Sequence, residues 1–183
     1  MQLLLVFIGN LFNYPATPYT LRMKPNEVIN SNCPLVRTAN VIGDGWTLLV
    51  LREAFLGTRR FNDFERRLGV ARNILSQRLK RLVEEGILER RPLPEDRRVV
   101  EYRLTAAGHA LVPVLVTMTQ WATEWLGDEG QAVRIIDRAT GEDVDPLLVR
   151  NADGQVLTAR DLRIVAGPAA DDVVRRQYQR IGE

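Results

Sequence analysis

A mainly α fold carrying a small β-wing is predicted by three features of the chain. Residues 59–85 read as a short helix, a glycine turn and a basic helix. Residues 87–104 read as two short strands around an arginine-tipped turn, and an amphipathic helical pattern resumes at Thr105. That order is the plan of a winged helix-turn-helix, whose default ligand is duplex DNA. A short β-rich C-terminal extension ending in a helix is expected to follow.

Residues 1–32 form an N-terminal extension. The opening MQLLLVFIGN is apolar but too short to span a bilayer, with no basic residue before it and no small-residue cleavage site in register after it. LFNYPATPYTLR has aromatics and prolines without periodicity, whereas Met23-Lys24-Pro25 leads directly toward the first helix. Residues 1–22 therefore read either as upstream over-translation, with Met23 the natural start, or as an arm packing on a partner subunit.

Pro34, at a first helical position, opens a helix through about Ile42, and Gly43-Asp44-Gly45 breaks it. WTLLVLREAFLG, from Trp46, carries apolar residues around most of its cylinder and is expected in the core. Phe61, Phe64 and Leu68 form the stripe of a third helix, and Gly69 supplies the turn to the fourth. On the fourth helix Leu75, Leu79 and Leu82 share one face, with Val83 at its margin. Arg72, Asn73, Ser76, Gln77, Lys80 and Arg81 are the candidate DNA contacts, since exposed amides and cations can hydrogen-bond base edges in a major groove. Glu84 opposes deep insertion at the C-terminal end of that face. Arg78, beside the buried stripe, reads as a phosphate clamp or an internal ion-pair partner.

Gly86 stops the fourth helix, Ile87–Arg91 forms a strand, and Val99–Leu104 returns as its partner. Arg97 and Arg98 at the tip of this wing are candidates for phosphate or minor-groove contact, the plainer alternative being a solubilised hairpin tip. Thr105 is a plausible N-cap for one long helix to about Leu126, kinked by Pro113. Its apolar positions Leu111, Leu115, Met118, Trp121 and Trp125 suit a core or a dimer seam. Beyond Gly127, short strands separated by Thr-Gly, Asp-Pro and Asp-Gly turns are expected, then a polar helix over Ala169–Arg180.

A chain of 183 residues can bury one ordinary core with a small appendage. The net charge of +2 conceals an asymmetry. Residues 52–103 hold 14 Arg or Lys against 9 acids, whereas residues 127–183 hold 8 against 11, so the positive charge sits where phosphates would want it. A single cysteine excludes an internal disulfide framework and fits a reducing cytoplasm. Cys33 occupies the N-cap position ahead of Pro34, where unpaired N–H groups and the helix dipole favour thiolate, which makes it a candidate redox or electrophile sensor. The competing reading is a small buried hydrophobe. No base or oxyanion site accompanies it and His109 has no second ligand nearby, so neither enzyme, cofactor nor metal chemistry is indicated.

The ordered set Cys33-Pro34, Gly45-Trp46-Thr47-Leu48-Leu49, Leu51-Arg52-Glu53, Arg60-Phe61, LSQRLKRLVEEGILER and EYRLTAAGHAL, ending near Trp121 and Trp125, resembles the HxlR-type branch of the MarR-like bacterial transcription regulators over residues 33–126. The resemblance implies a cytoplasmic homodimer with dimer contacts from its first and last helices, reading a pseudo-palindromic operator with two copies of residues 72–81. It also implies a small-molecule or oxidant effector, since several relatives sense through a cysteine before the first helix. Two departures stand out. Ala71 replaces the usual Ser or Thr cap, weakening the cap or shifting it to Asn73, and the EDRR wing is closer to the broader MarR pattern. Thr140, Arg150 and Asp153 stand where the tail cysteines of some relatives would align, which argues against a metal site. The alternative from another class is a winged-helix protein-interaction module without DNA binding. Residues 127–183 form the tail in either case.

Overall fold

The computed structural model describes residues 29–126 and 132–179. Both readings of residues 1–22 lie outside the described residues. Helix α1, Pro34–Ile42, opens with Cys33 as N-cap and proline in its first turn, where a missing N–H costs no hydrogen bond. Helix α2, Gly45–Phe55, is capped by Asp44, whose carboxylate accepts from the Thr47 amide at 3.1 Å and from the Thr47 hydroxyl. Helix α3, Phe61–Leu68, ends at Gly69 with φ of 61°, and α4, Arg72–Glu84, follows after two residues. The left-handed turn at Gly69 is what lets two helices meet so closely.

The core forms where α2, α3, α4 and the first strand converge. Val50, Leu51, Phe64, Leu75, Leu79, Leu82 and Leu88 are fully buried there. The three leucines of α4 are those whose spacing assigns them to one face. Helix α2 buries Thr47, Val50, Leu51, Glu53 and Ala54 but leaves Trp46 40% exposed, so it is buried on one side and not around its cylinder. Strands β1, Leu88–Pro92, and β2, Val100–Leu104, pair antiparallel from Leu88↔Leu104 to Pro92↔Val100. The Tyr102 amide donates to the Arg59 carbonyl at 2.8 Å, which ties the wing to the turn before α3.

The long helix expected from Thr105 is two helices, α5 (Ala106–His109) and α6 (Val112–Trp125). Thr105 does cap the first, accepting from the Gly108 amide at 3.1 Å while donating to the Gly86 carbonyl at 2.6 Å. The chain breaks at Ala110-Leu111, and Pro113 then stands in the first turn of α6 instead of kinking a helix interior.

The β-rich extension is not formed. Among the described residues the tail has no strand, only the single-residue bridges Ile136↔Asp143 and Arg150↔Val156. Each bridge closes across its own glycine turn and finds no third strand. Ile136, Leu147, Leu148, Val156 and Ile164 stay exposed, so among the described residues no buried apolar face holds a sheet together. The closing helix is present as α7, Asp172–Gln179, and docks on the N-terminal end of α1.

Candidate nucleic-acid interface

With Leu75, Leu79 and Leu82 in the core, the opposite side of α4 faces outward. Asn73, Ser76 and Gln77 are exposed and form a polar strip. The flanking cations are less free than their spacing suggests. Arg72 reaches Glu65 at 2.6 Å and lies over the Phe61 ring, 4.9 Å from its centroid. Lys80 pairs with Glu84 at 3.7 Å, and the Arg81 guanidinium donates to the Asn40 carbonyl of α1 at 2.6 Å. The Arg78 Nε lies 3.1 Å from the Asp44 carboxylate without hydrogen-bond alignment, a Coulombic contact that favours the ion-pair alternative. No side chain caps α4 at Ala71, and Asn73 lies inside the first turn.

At the wing tip, Val99 N–H donates to the Asp96 carbonyl and Arg98 N–H to the Asp96 carboxylate, both at 3.0 Å. This turn presents Arg97 and Arg98 to solvent, and their guanidinium groups form no ion pair among the described residues. The fold adds residues that the spacing of α4 and the wing does not reveal. Arg60, Asn62, Arg66 and Arg98 line a groove of about 550 Å³ between the start of α3 and Val99-Val100. Arg66 is paired with Asp63 at 2.6 Å, whereas the Arg60 guanidinium has no ion pair among the described residues. The Arg59-Arg60 and Arg66-Arg67 doublets are visible in the sequence, but only the wing's return brings Arg98 beside them.

Met118, Trp121 and Trp125 are exposed on α6, which buries no residue fully. Leu111 and Leu115, on the same stripe, are half-buried against the main core. Met118 and Leu115 also face Leu48 and Leu49 across a groove of about 460 Å³.

Cys33 is 4% exposed and lies under α7, with the Tyr178 hydroxyl 3.7 Å from its sulfur. The Val36 amide, opposed by burial and aided by Tyr178 and the Leu35 amide, holds the thiol below its ordinary pKa, although no side-chain cap bond reaches hydrogen-bond geometry. Contact with Cys33 pushes the Tyr178 hydroxyl up in turn. His109 is exposed at the end of α5.

Residues 41–130 match the model of the HxlR-like helix-turn-helix family. The HTH-type transcriptional regulator Rv3095 of Mycobacterium tuberculosis is 42% identical over 133 residues, 72% of this chain and 84% of that one. The HTH-type transcriptional regulator YodB of Bacillus subtilis is 33% identical over 98 residues, 52% of this chain and 88% of that one. The crystal structure of PA1607, described as a transcription factor, superposes with a TM-score of 0.72 and 40% identity, covering 77% of this chain and 99% of that one. The chain belongs to the HxlR-like helix-turn-helix family of transcriptional regulators, which are not enzymes. The family implies DNA binding. Among the described residues, no helix is long and apolar enough to cross a membrane.

Proposed function

We propose that the chain is a cytoplasmic homodimeric regulator in which residues 33–126 form the DNA-binding and dimerisation unit. Two copies of α4 read a pseudo-palindromic operator through successive major grooves. The observation that carries this reading is the exposed Asn73, Ser76 and Gln77 strip on a helix locked to the core by three leucines. Amide and hydroxyl groups on that strip suit base edges, while Arg97, Arg98 and Arg60 suit phosphates and position the duplex. Arg72 and Lys80 take part by exchanging their carboxylate partners, half-buried Glu65 and exposed Glu84, for phosphate. Arg81 keeps its bond to the Asn40 carbonyl and turns its remaining guanidinium N–H groups to a phosphate. Met118, Trp121 and Trp125 of α6 form the seam between protomers, with Leu111 and Leu115 supporting it from the core side. The effector is an oxidant or electrophile acting at Cys33, in keeping with the depressed thiol pKa.

The test is binding of the purified chain to its own upstream intergenic duplex and to a scrambled duplex, across a salt series and with Cys33 reduced or oxidised. Selective, salt-sensitive binding that weakens on oxidation is the expected result. Gln77→Ala should cost roughly 1–3 kcal/mol on the selected duplex and relax preference at one base position. Arg97→Ala should weaken both duplexes alike and reduce the salt slope by about 1. Equal binding to both duplexes would favour the protein-interaction module instead, and oxidation-insensitive binding would remove Cys33 from the mechanism.

A further inference from the structure

Helix α7 is joined to α1 by a built contact. The Asn32 amide donates to the Asp171 carboxylate at 2.6 Å, the Asp171 amide returns a bond to the Asn32 side-chain oxygen at 3.1 Å, and the Asn32 side-chain amide donates to the Ala169 carbonyl at 2.7 Å. The same Asp171 carboxylate caps α7 by accepting from the Val174 amide at 2.8 Å. Ala170 and Val174 are buried against Cys33, and Val36, Ala166 and Tyr178 complete a small core separate from the main one. Midway along the tail, the Gln120 side chain of α6 donates to the Asp145 carbonyl at 3.2 Å and accepts from the Leu147 amide at 3.0 Å.

Helix α1 has little other anchorage. Ile42, its one buried residue, and half-buried Val41 at its C-terminal end lie in and against the main core, whereas Cys33 and Val36 at the other end pack against α7. Between them stands Asn40, whose side chain donates to the Ile29 carbonyl at 2.9 Å and whose own carbonyl receives Arg81 of α4. One nine-residue helix therefore connects the tail to the recognition helix.

We propose that residues 132–179 are a strap that holds α1 in place and thereby sets operator affinity, a reading that rests on the DNA-binding function proposed above. With α7 docked, α1 is fixed at both ends and α4 keeps its Asn40 support. With α7 released, the N-terminal half of α1 loses its buried packing, and the cost of ordering α1 and its Asn40 contact with Arg81 is charged against DNA binding. The small docking core and its exposed hydrogen bonds make release a local event that leaves the main core standing. The strap thus supplies the element with two arrangements that coupling between distant sites requires.

Cys33 reports docking directly, because a docked α7 covers its sulfur. Its reaction with dithiobis-nitrobenzoate, in which the thiolate attacks the probe disulfide and expels one coloured thionitrobenzoate, gives a rate for strap opening. Val174→Asp and Asp171→Ala both strike the strap away from the DNA face. Each is expected to speed labelling at least tenfold and, in unlabelled reduced protein, to weaken binding to the upstream duplex at least tenfold, with the main thermal transition by circular dichroism retained. If Val174→Asp loses that transition, Asp171→Ala and Tyr178→Ala decide the matter. Faster labelling with unchanged affinity overturns the coupling. Labelling of the unaltered chain as fast as a free thiol, or equally slow in every variant, overturns the docked strap. Failure of the unaltered chain to select its duplex overturns the DNA-binding reading and the coupling with it, a result distinct from either of those.

Discussion

Glu53 sits on the buried side of α2, only 3% exposed, where an unpaired carboxylate would be costly. It accepts from Arg67 of α3, from Arg52 at 3.0 Å and from the buried Thr58 hydroxyl at 3.3 Å. Burial raises its pKa, but the hydrogen bonds and charges of Arg67 and Arg52 more than offset this and hold it below the usual 4.5. The folded value is thus the depressed one. Its contribution to stability is present above the unfolded value and is lost as pH falls through the folded value. Glu53→Ala should leave the Thr58 hydroxyl without its partner beside a small void and cost about 2–3 kcal/mol. Urea denaturation at neutral pH checks this, and an unchanged midpoint would show that the cluster contributes nothing net. Helical periodicity alone does not identify Glu53, because its ion-pair partner Arg67 reaches it only when α3 folds back. Asn73 and Gln77 are legible for the opposite reason, since a helix's own period places them opposite its leucines.

At the level of elements, caps, turns and the wing's pairing were readable, and the absence of pairing in the tail was not. The Gly69 turn, the Thr105 cap and the two wing strands each follow from residues within a few positions of one another. The tail carries turn signals and alternating apolar residues of the same kind. They yield no sheet, since a strand persists only with a ladder partner and an apolar surface beneath it. The break between α5 and α6 falls just ahead of Pro113, whose missing N–H and ring prevent the preceding turn from continuing. Gly108 is buried, and a Cβ there would meet the Ile87 carbonyl oxygen at 2.3 Å and a Leu104 methyl at 2.9 Å. Alanine would normally gain about 0.5–1 kcal/mol over glycine in a helix, but displacing a backbone carbonyl costs about 1–3 kcal/mol. Gly108→Ala should therefore destabilise the protein in a denaturant titration, and a stabilised variant would show that α5 can move away from β1.

For the whole molecule, the decisive feature is the helix α6, which is left without a fully buried residue. Met118, Trp121 and Trp125 are 46%, 55% and 63% exposed, a grouping that a second copy would cover. In the homodimer proposed above, Met118→Glu combined with Trp121→Glu should give a monomer by sedimentation equilibrium and weaken operator binding, since one recognition helix then meets one half-site. A double variant that still sediments as a dimer would place the seam elsewhere.

Local pattern was enough for the succession of helix, turn, basic helix, wing and amphipathic helix, because capping, turn chemistry and periodicity act over a few residues. The tertiary structure decided which of those groups are free to act. Arg81 is engaged by a carbonyl 41 residues away, and Cys33 lies against a tyrosine 145 residues away. The availability of a guanidinium or a thiol is set by neighbours that chain folding delivers, and no periodicity in the intervening sequence encodes them.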